Sequence, residues 1–559
     1  MRYLTLLLLP LLCTCGPAPA DNSVPPAGPE PKQNVIFILA DDFGITDAQG
    51  YLQKFTGADP ASTFHETPHL NRLMAEGVSF TQAYATQLCS PTRAGILSGK
   101  YAARVGFMTA MPLRETYYNQ AMEVPEGYSA HDVLDHHDDI KIQQAWTNAT
   151  SNSALPTGAP EDAGRDILSL AEAMPEHRSA FIGKWHIGGF GAHGHQPADH
   201  GFTPLAWYDS GASSYFNWRG GWKRDAKNRF PEMPQDRWEM GDPGPATGED
   251  YLTDDLTAQA LNFLDEHGQG EQPFFLYFSH FAVHAPYQAK DSLVNHFTDK
   301  PTRGANGHED ATYAAMIKSM DASVGALLDK LDQLGIAENT LVVFMSDNGG
   351  IDRKLTPKGD GTDNVPFLGG KAMLTEGGVR VPLIFRQKGK TPGGKWVEMP
   401  VDYTDIYPSL VAAAGYTTDN LIEEQDLDGQ SLLPLIDDSE GNDIAYSKDV
   451  RYWHYPFNVI YNSPYDKLPL TPHSAIRLEN HKLIFDWHGR LHLYDLDNDP
   501  YEKNDLAEEY PELRDRLFNQ LMTWLDNNVD RRYWPQLNPD YDASKEARAA
   551  AFIDLTDGL

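Results

Sequence analysis

Residues 34–42 read Asn-Val-Ile-Phe-Ile-Leu-Ala-Asp-Asp. The run before the acids is uncharged and rich in β-branched and apolar residues, with no polar alternation. A strand with one wet face alternates, so this pattern predicts a strand buried on both faces. It ends abruptly in two carboxylates. The same grammar recurs at Leu341–Ser346 before Asp347-Asn348-Gly349-Gly350, and at Phe274–Phe278 before His280 and His284. A shorter case is Ala180–Gly183 before Lys184-Trp185-His186. Between these runs, residues 69–74 and 314–334 space their apolar side chains by three and four, as helices do. Strand and helix in alternation predict an α/β fold, a parallel sheet with helices on both faces. Ligands in such sheets bind beyond the carboxyl ends of the strands. Four strands therefore deliver acids, an amide, lysine and histidine to one edge.

Beyond Leu432–Ile436 the pattern changes to short strands at 474–477, 482–485 and 490–494, then a helix over about 512–527. These predict a smaller C-terminal antiparallel-sheet subdomain with a terminal helix. The expected organisation is a signal peptide over 1–15, a Pro-rich tether over 16–32, a catalytic domain over 33–436 and the subdomain over 437–559. The leader's apolar core, Leu4–Leu12, is too short to span a bilayer. Leu12-Cys13-Thr14-Cys15-Gly16 loosely resembles a lipoprotein cleavage site, so export is expected with either plain cleavage or lipidation at Cys15 or Cys13. Periplasm or cell surface is the expected location, with the membrane touched only through such an anchor.

The chain has 559 residues, 45 Lys+Arg and 79 Asp+Glu, a formal net charge of −34. Such a field repels polyanions, so nucleic acid is excluded as a partner, and an acidic ligand must be held by local cations. Of three cysteines, only Cys89 lies beyond the leader, so the exported chain has no internal disulfide.

Asp41, Asp42, Asp347 and Asn348 form an all-oxygen set from two strand ends. Hard donors without accompanying thiolate, or histidine at metal spacing, favour Ca²⁺ or Mg²⁺ over Zn²⁺. Cys89-Ser90-Pro91-Thr92-Arg93 places a proline in a first helical turn, which puts Cys89 at a helix N-terminus, where backbone N–H groups favour anions.

That pentapeptide resembles the Cys-x-Pro-x-Arg motif of the formylglycine-dependent sulfatases, arylsulfatase-like members of the alkaline phosphatase superfamily. Further motifs of that family follow in order: NVIFILADDFG (34–44), TPHLNRL (67–73), GKWHIG (183–188), SDNGG (346–350), GGKAMLTEGGVRVP (369–382) and LYDLDNDPYEKNDL (493–506). The resemblance covers about 33–510 and implies a large mixed, mostly parallel sheet. It implies one calcium ion on Asp41, Asp42, Asp347, Asn348 and Cys89, magnesium being the lesser candidate. Cys89, oxidised to formylglycine by a maturation enzyme, would be the nucleophile. Arg93 would hold it, with Lys184, His186, His284 and Lys371 completing the catalytic set. Gln87-Leu88 before the cysteine and the long segment after His186 depart from the family pattern without touching a catalytic position.

Aromatic, His and Arg residues crowd the segments 189–217, 218–224 and 452–457 and suit sugar rings bearing sulfate or carboxylate. His193, His195, Arg219, Arg353 and His454 are the expected substrate contacts. The resulting expectation is a bacterial sulfatase acting on a sulfated carbohydrate, an algal oligosaccharide of ulvan, carrageenan or fucoidan type. Two other readings stay open here: a phosphodiesterase or phosphonate hydrolase of the same superfamily, and a non-catalytic surface glycan-binding lipoprotein.

Overall fold

Every residue of strand β1 (Asn34–Ala40) is buried. It pairs in parallel with β7 (Phe274–Ser279) on one side and β8 (Thr340–Ser346) on the other. Its alternate side chains enter two cores. Ile36 and Ile38 join Phe278, Phe344 and the helices Leu252–His267 and Ala311–Leu334. Val35, Phe37 and Leu39 join Tyr277, Val343 and the helices Cys89–Ser98 and Ile406–Ala413. Neither face of β1 meets water, which is why its sequence does not alternate.

The computed structural model describes residues 32–537 apart from 111–145, 148, 150, 153, 156–166, 190, 192–193, 223–240, 249, 302–306, 356–358, 419–422, 438–445, 458–471 and 488. The leader with Cys13 and Cys15, the tether to residue 31, and His193 lie outside the described residues. Among the described residues no helix is long and apolar enough to cross a membrane.

The main sheet runs β10 (Lys395–Val397), β2 (Val78–Tyr84), β9 (Arg380–Arg386), β8, β1, β7, β4 (Arg178–Lys184), β5 (Thr203–Tyr208), β6 (Gly241–Asp242), with β11 (Val401–Asp402) also on β2. β9 opposes β8 and β2, and β6 opposes β5. The remaining pairs are parallel. This is the mixed, mostly parallel sheet the sequence leads one to expect. A two-stranded pair joins β3 (Trp146–Thr147) to β16 (Gln536–Leu537).

A second sheet, β12 (Val450–Tyr455), β13 (His473–Leu478), β14 (His481–Asp486) and β15 (Arg490–Asp495), is antiparallel throughout. The helix Pro511–Asn528 lays Leu517, Leu521 and Leu525, one face at i, i+4, i+8, into a core with Ile476, Leu483 and Phe485. That core also takes in Leu88, Met108 and Ala372, and Trp453 Nε1 donates to Ala85 O at 2.9 Å. The second sheet is therefore built against the end of the main domain that carries Cys89.

Candidate active site

Parallel register sets the site. Ala40 lies opposite Ser346, so Asp41 and Asp347 leave the sheet side by side. Ser279 lies opposite both Leu39 and Gly183, which brings the ends of β7 and β4 to the same edge. Cys89 opens the helix Cys89–Ser98, all ten residues of which are buried. Asp42 and His186 have φ of 57° and 59°. Non-glycine residues adopt this left-handed conformation only when surroundings force it, and such strain clusters at functional sites.

The cations and acids interlock. Arg93 donates from Nε at 3.0 Å and Nη2 at 2.6 Å to Asp347 Oδ2, and from Nη1 to Lys184 O at 2.9 Å and to Ser279 Oγ. Lys184 Nζ donates to both oxygens of Asp41, at 2.9 and 2.7 Å. Lys371 Nζ donates to Asp42 Oδ2 at 2.8 Å, and His284 Nε2 lies 3.6 Å from the same oxygen. Cys89 Sγ and His186 Nδ1 are 3.4 Å apart. The sequence-derived catalytic and metal residues thus converge in one cluster. Ser279, which the sequence reading missed, belongs to it as well. Its signal was its place at the end of the strand that leads to His280.

Burial dominates the electrostatics. It pushes the Asp41 carboxyl well up; Lys184 opposes this, and Asp347 and Asp42 reinforce it. It raises the Cys89 thiol despite Lys184 and Lys371. Burial, with Lys184 and Arg93 adding to it, holds His186 well below the usual imidazole range. Burial and Lys371 bring His284 down to about 3. Both shifts favour the neutral imidazole. His280 is buried just past the end of β7, its Nε2 3.4 Å from Ser323 Oγ.

Do these groups fit a hard cation? Ligand atoms of Asp41, Cys89 and Asp347 all lie within 4.8 Å of one another. Asn348 gives the sharper test. Its Nδ2 donates to Asp42 Oδ1 and Gly349 O, both at 2.8 Å, while its Oδ1 is buried with no hydrogen-bond partner. A buried amide oxygen left this way is costly unless an ion takes it. Oxygen donors with a concentrated negative charge suit calcium or magnesium. The residues fit.

Backbone packing fixes the loops that carry them. Gly349 N donates to Gly378 O at 2.9 Å, and a Cβ at 349 would lie 1.9 Å from Gly377 O. Only glycine lets the Asp347-Asn348 loop lie this close to the Lys371 loop. Gly211 covers His186, since a Cβ there would lie 2.9 Å from its Cε1.

The expected substrate contacts fare differently. His454 is buried, its Nδ1 2.7 Å from Ser474 Oγ and its Nε2 2.8 Å from Tyr533 O. His195 is buried with Nδ1 2.9 Å from Leu155 O, while its own carbonyl accepts from Trp185 Nε1. Arg219 donates to the carbonyls of Pro243, Gly244 and Pro245 and to Asp255, and stacks on Trp218. Arg353 is held by Gly307 O at 2.9 Å and Glu309 at 2.6 Å. These four side chains pin loops by the bonds they make, the two histidines from buried positions and the two arginines from partly exposed ones. For His454→Ala we expect a stability loss of about 1–3 kcal/mol from the unmatched Tyr533 carbonyl and the lost packing, with sulfate release per folded molecule unchanged. Thermal unfolding beside a kinetic assay on the folded fraction checks this, and a selective rise in KM would return His454 to the substrate.

Residues 33–416 match the sulfatase family model, and 368–527 match the C-terminal model of N-sulphoglucosamine sulphohydrolase. A sulfatase of Formosa agariphila is 27% identical over 90% of both chains. N-acetylgalactosamine-6-sulfatase of Canis lupus familiaris is 29% identical, over 73% of this chain and 67% of its own. Among solved structures, Ps i-CgsB in complex with k-i-k-neocarrahexaose superposes with a TM-score of 0.67 at 26% identity, covering 90% of this chain and 94% of that one. Matched over most of its length and holding the motif residues in one buried cluster, the chain belongs to the sulfatase family and is a hydrolase of sulfuric esters.

Proposed function

We propose that the enzyme removes sulfate from a carbohydrate, an oligosaccharide of a sulfated algal polysaccharide of ulvan, carrageenan or fucoidan type, using a formylglycine made from Cys89 and one bound calcium ion. The observation that carries the chemistry is Cys89 at a helix start, 3.4 Å from His186, with Lys184 and Lys371 flanking the acids. The likeness to a structure bound to neocarrahexaose supports a glycan as substrate. The leader and tether support an exported enzyme, periplasmic or at the cell surface, with Cys15 or Cys13 as its lipid anchor if the leader is lipidated.

Asp41, Asp42, Asp347, Asn348 and residue 89 would hold the calcium, whose charge would help bind the sulfuryl oxygens. The hydrated formylglycine would supply one hydroxyl to attack sulfur and a second to expel sulfate. Lys184 and Lys371 hold the sulfuryl group, the preorganised stabilisation that usually contributes most to catalysis. Asp347 accepts the proton of the attacking hydroxyl, and neutral His186 accepts that of the second. Arg93 fixes Asp347 for this role. His284 and Lys371 serve the departing alcohol, and the anionic ester beside Lys371 raises His284 from its resting state toward protonation.

The test is free sulfate released from a panel of algal and animal sulfated oligosaccharides by protein whose formylglycine has been confirmed, with Cys89→Ala as blank. Release from an algal class, absent in the blank, is the expected result. Turnover of aryl sulfate alone would overturn the glycan. Preferred turnover of phosphate or phosphonate esters would overturn the sulfate reading, and affinity for sulfated glycan without release would make the protein a binder.

A further inference from the structure

Lys371 sits on the segment 369–378, which runs into the short helix Glu376–Val379 and is fastened to the main domain near its start and to the C-terminal part farther on. Near its start, Lys371 N donates to Gly350 O at 3.0 Å and Ala372 N to Gln87 O at 2.8 Å, both in the main domain. Farther on, Leu374 N donates to His473 Nε2 at 3.3 Å and Glu376 N to Glu502 Oε2 at 2.6 Å, both in the C-terminal part. The Glu376 carboxylate accepts from Lys482 Nζ of β14 at 2.8 Å, from Tyr84 OH at 2.8 Å and from Arg380 Nη1 at 3.1 Å. Lys482 Nζ also meets Glu502 at 2.9 Å, and all three members of this Glu–Lys–Glu group are buried. Burial alone would raise the Glu376 carboxyl, but Lys482 and Arg380 outweigh it and hold it low.

Such a group is a poor way to gain stability. Two carboxylates and an ammonium taken out of water lose more hydration than their attraction returns unless the geometry is close to ideal, and apolar packing often does as well. What an ionic clamp does supply is position. The loop transmits that position because it has no slack. Gly377 N donates to Leu368 O at 2.8 Å, and a Cβ on Gly377 or Gly378 would lie 2.4 Å from Gly369 O or 2.1 Å from Met373 O. Two non-glycine residues bracket the arrangement in the left-handed region, Ala372 at φ 72° beside the catalytic lysine and Glu502 at φ 54° in the clamp.

We propose that Lys482, clamped between Glu376 and Glu502, is a positioning residue for Lys371, so that the C-terminal sheet sets where the site's second lysine meets the sulfuryl group. The proposal rests on the role given to Lys371 above.

The experiment is a double-mutant cycle read as sulfate release per folded, formylglycine-bearing molecule. Lys371→Ala must first lower kcat. Lys482→Met is then expected to lower kcat by about 10- to 100-fold in the otherwise unchanged enzyme, the scale of a displaced positioning group, and less than about twofold in the Lys371→Ala background. Because Lys482→Met leaves two carboxylates facing each other, Glu502→Gln is run beside it. It loosens the clamp without exposing Glu376, and its smaller loss is expected to vanish in the Lys371→Ala background as well. Equal losses in both backgrounds, the signature of a purely structural role, would overturn the positioning role while leaving Lys371 catalytic. Full activity in Lys371→Ala would instead remove the assignment of Lys371, and this proposal with it.

Discussion

Arg93→Met is expected to lose about 3–5 kcal/mol of stability and to release sulfate at least about 10²–10³-fold more slowly than the parent. Arg93 ties three residues of the site together. Its guanidinium reaches Asp347 through two donors, the Lys184 carbonyl and Ser279 through a third, and lies 3.8 Å from Asp41. Both carboxylates are fully buried. Methionine fills most of the volume, so the loss reports the uncompensated charge on Asp347 more than a cavity, Asp41 keeping Lys184. Catalysis is expected to fall separately, because Asp347, the proposed proton acceptor, loses the two donors that orient it. Arg93→Lys separates the two effects. A point charge restores part of the stability but cannot make the bidentate contact, so activity stays low. Urea midpoints at unchanged m-value, beside sulfate release at confirmed formylglycine content, measure both. A methionine variant within about 1 kcal/mol and tenfold of the parent would contradict this account of the site.

The catalytic cluster was legible in the sequence because its chemistry sits where strands end. A run such as Val35–Ala40 identifies a buried strand, and in a parallel sheet all such strands end on one side. Asp41, Asp347, Lys184 and His284 could therefore be placed together without knowing strand order. The strand order itself, with β9 reversed between β8 and β2, left no mark in composition or spacing. Loop side chains were legible as chemistry but not as location. His454 and Arg219 have the same residue types as sugar contacts, but long loops also need partners for their carbonyls. Which use a ring nitrogen or guanidinium serves depends on neighbours far away in the chain, here Tyr533 and Pro243–Pro245. The clamp on the Lys371 loop was invisible for the same reason. Lys482 is 106 residues from Glu376, and a lone lysine in a short strand reads as a solvated charge until the fold buries it. Ser279 was the nearest miss, at the end of a strand whose direction and destination were both read correctly.

Removing divalent metal with a chelator is expected to abolish sulfate release and lower the melting temperature, and readded calcium is expected to restore both more fully than magnesium. The reason lies in the crowding at the strand ends. Asp41, Asp42 and Asp347 are all essentially inaccessible to water. Without an ion, burial raises the Asp41 carboxyl well above its usual range even with Lys184 in contact. The metal-free fold therefore holds a proton there up to a higher pH than the unfolded chain does. The stability this proton confers is present at low pH and is lost as pH rises through the raised value. Bound calcium would take over that compensation and exclude the proton, so the ion is expected to bind more weakly on acidification. The gap between metal-loaded and metal-free melting temperatures should accordingly widen from pH 5 to pH 8. At calcium about a thousandfold above its dissociation constant, linkage alone contributes about 4 kcal/mol. Calcium is the expected ion because five residues from two strand ends and a helix would offer it oxygens, whereas magnesium gives up water reluctantly and usually takes only one or two carboxylates. Scanning fluorimetry across that pH range, with and without chelator and with each ion returned, gives the comparison. A melting temperature and a rate of sulfate release that are both indifferent to the chelator at pH 8 would mean that Lys184, Lys371 and Arg93 neutralise these acids unaided, and that the buried Asn348 oxygen goes unsatisfied for some other reason.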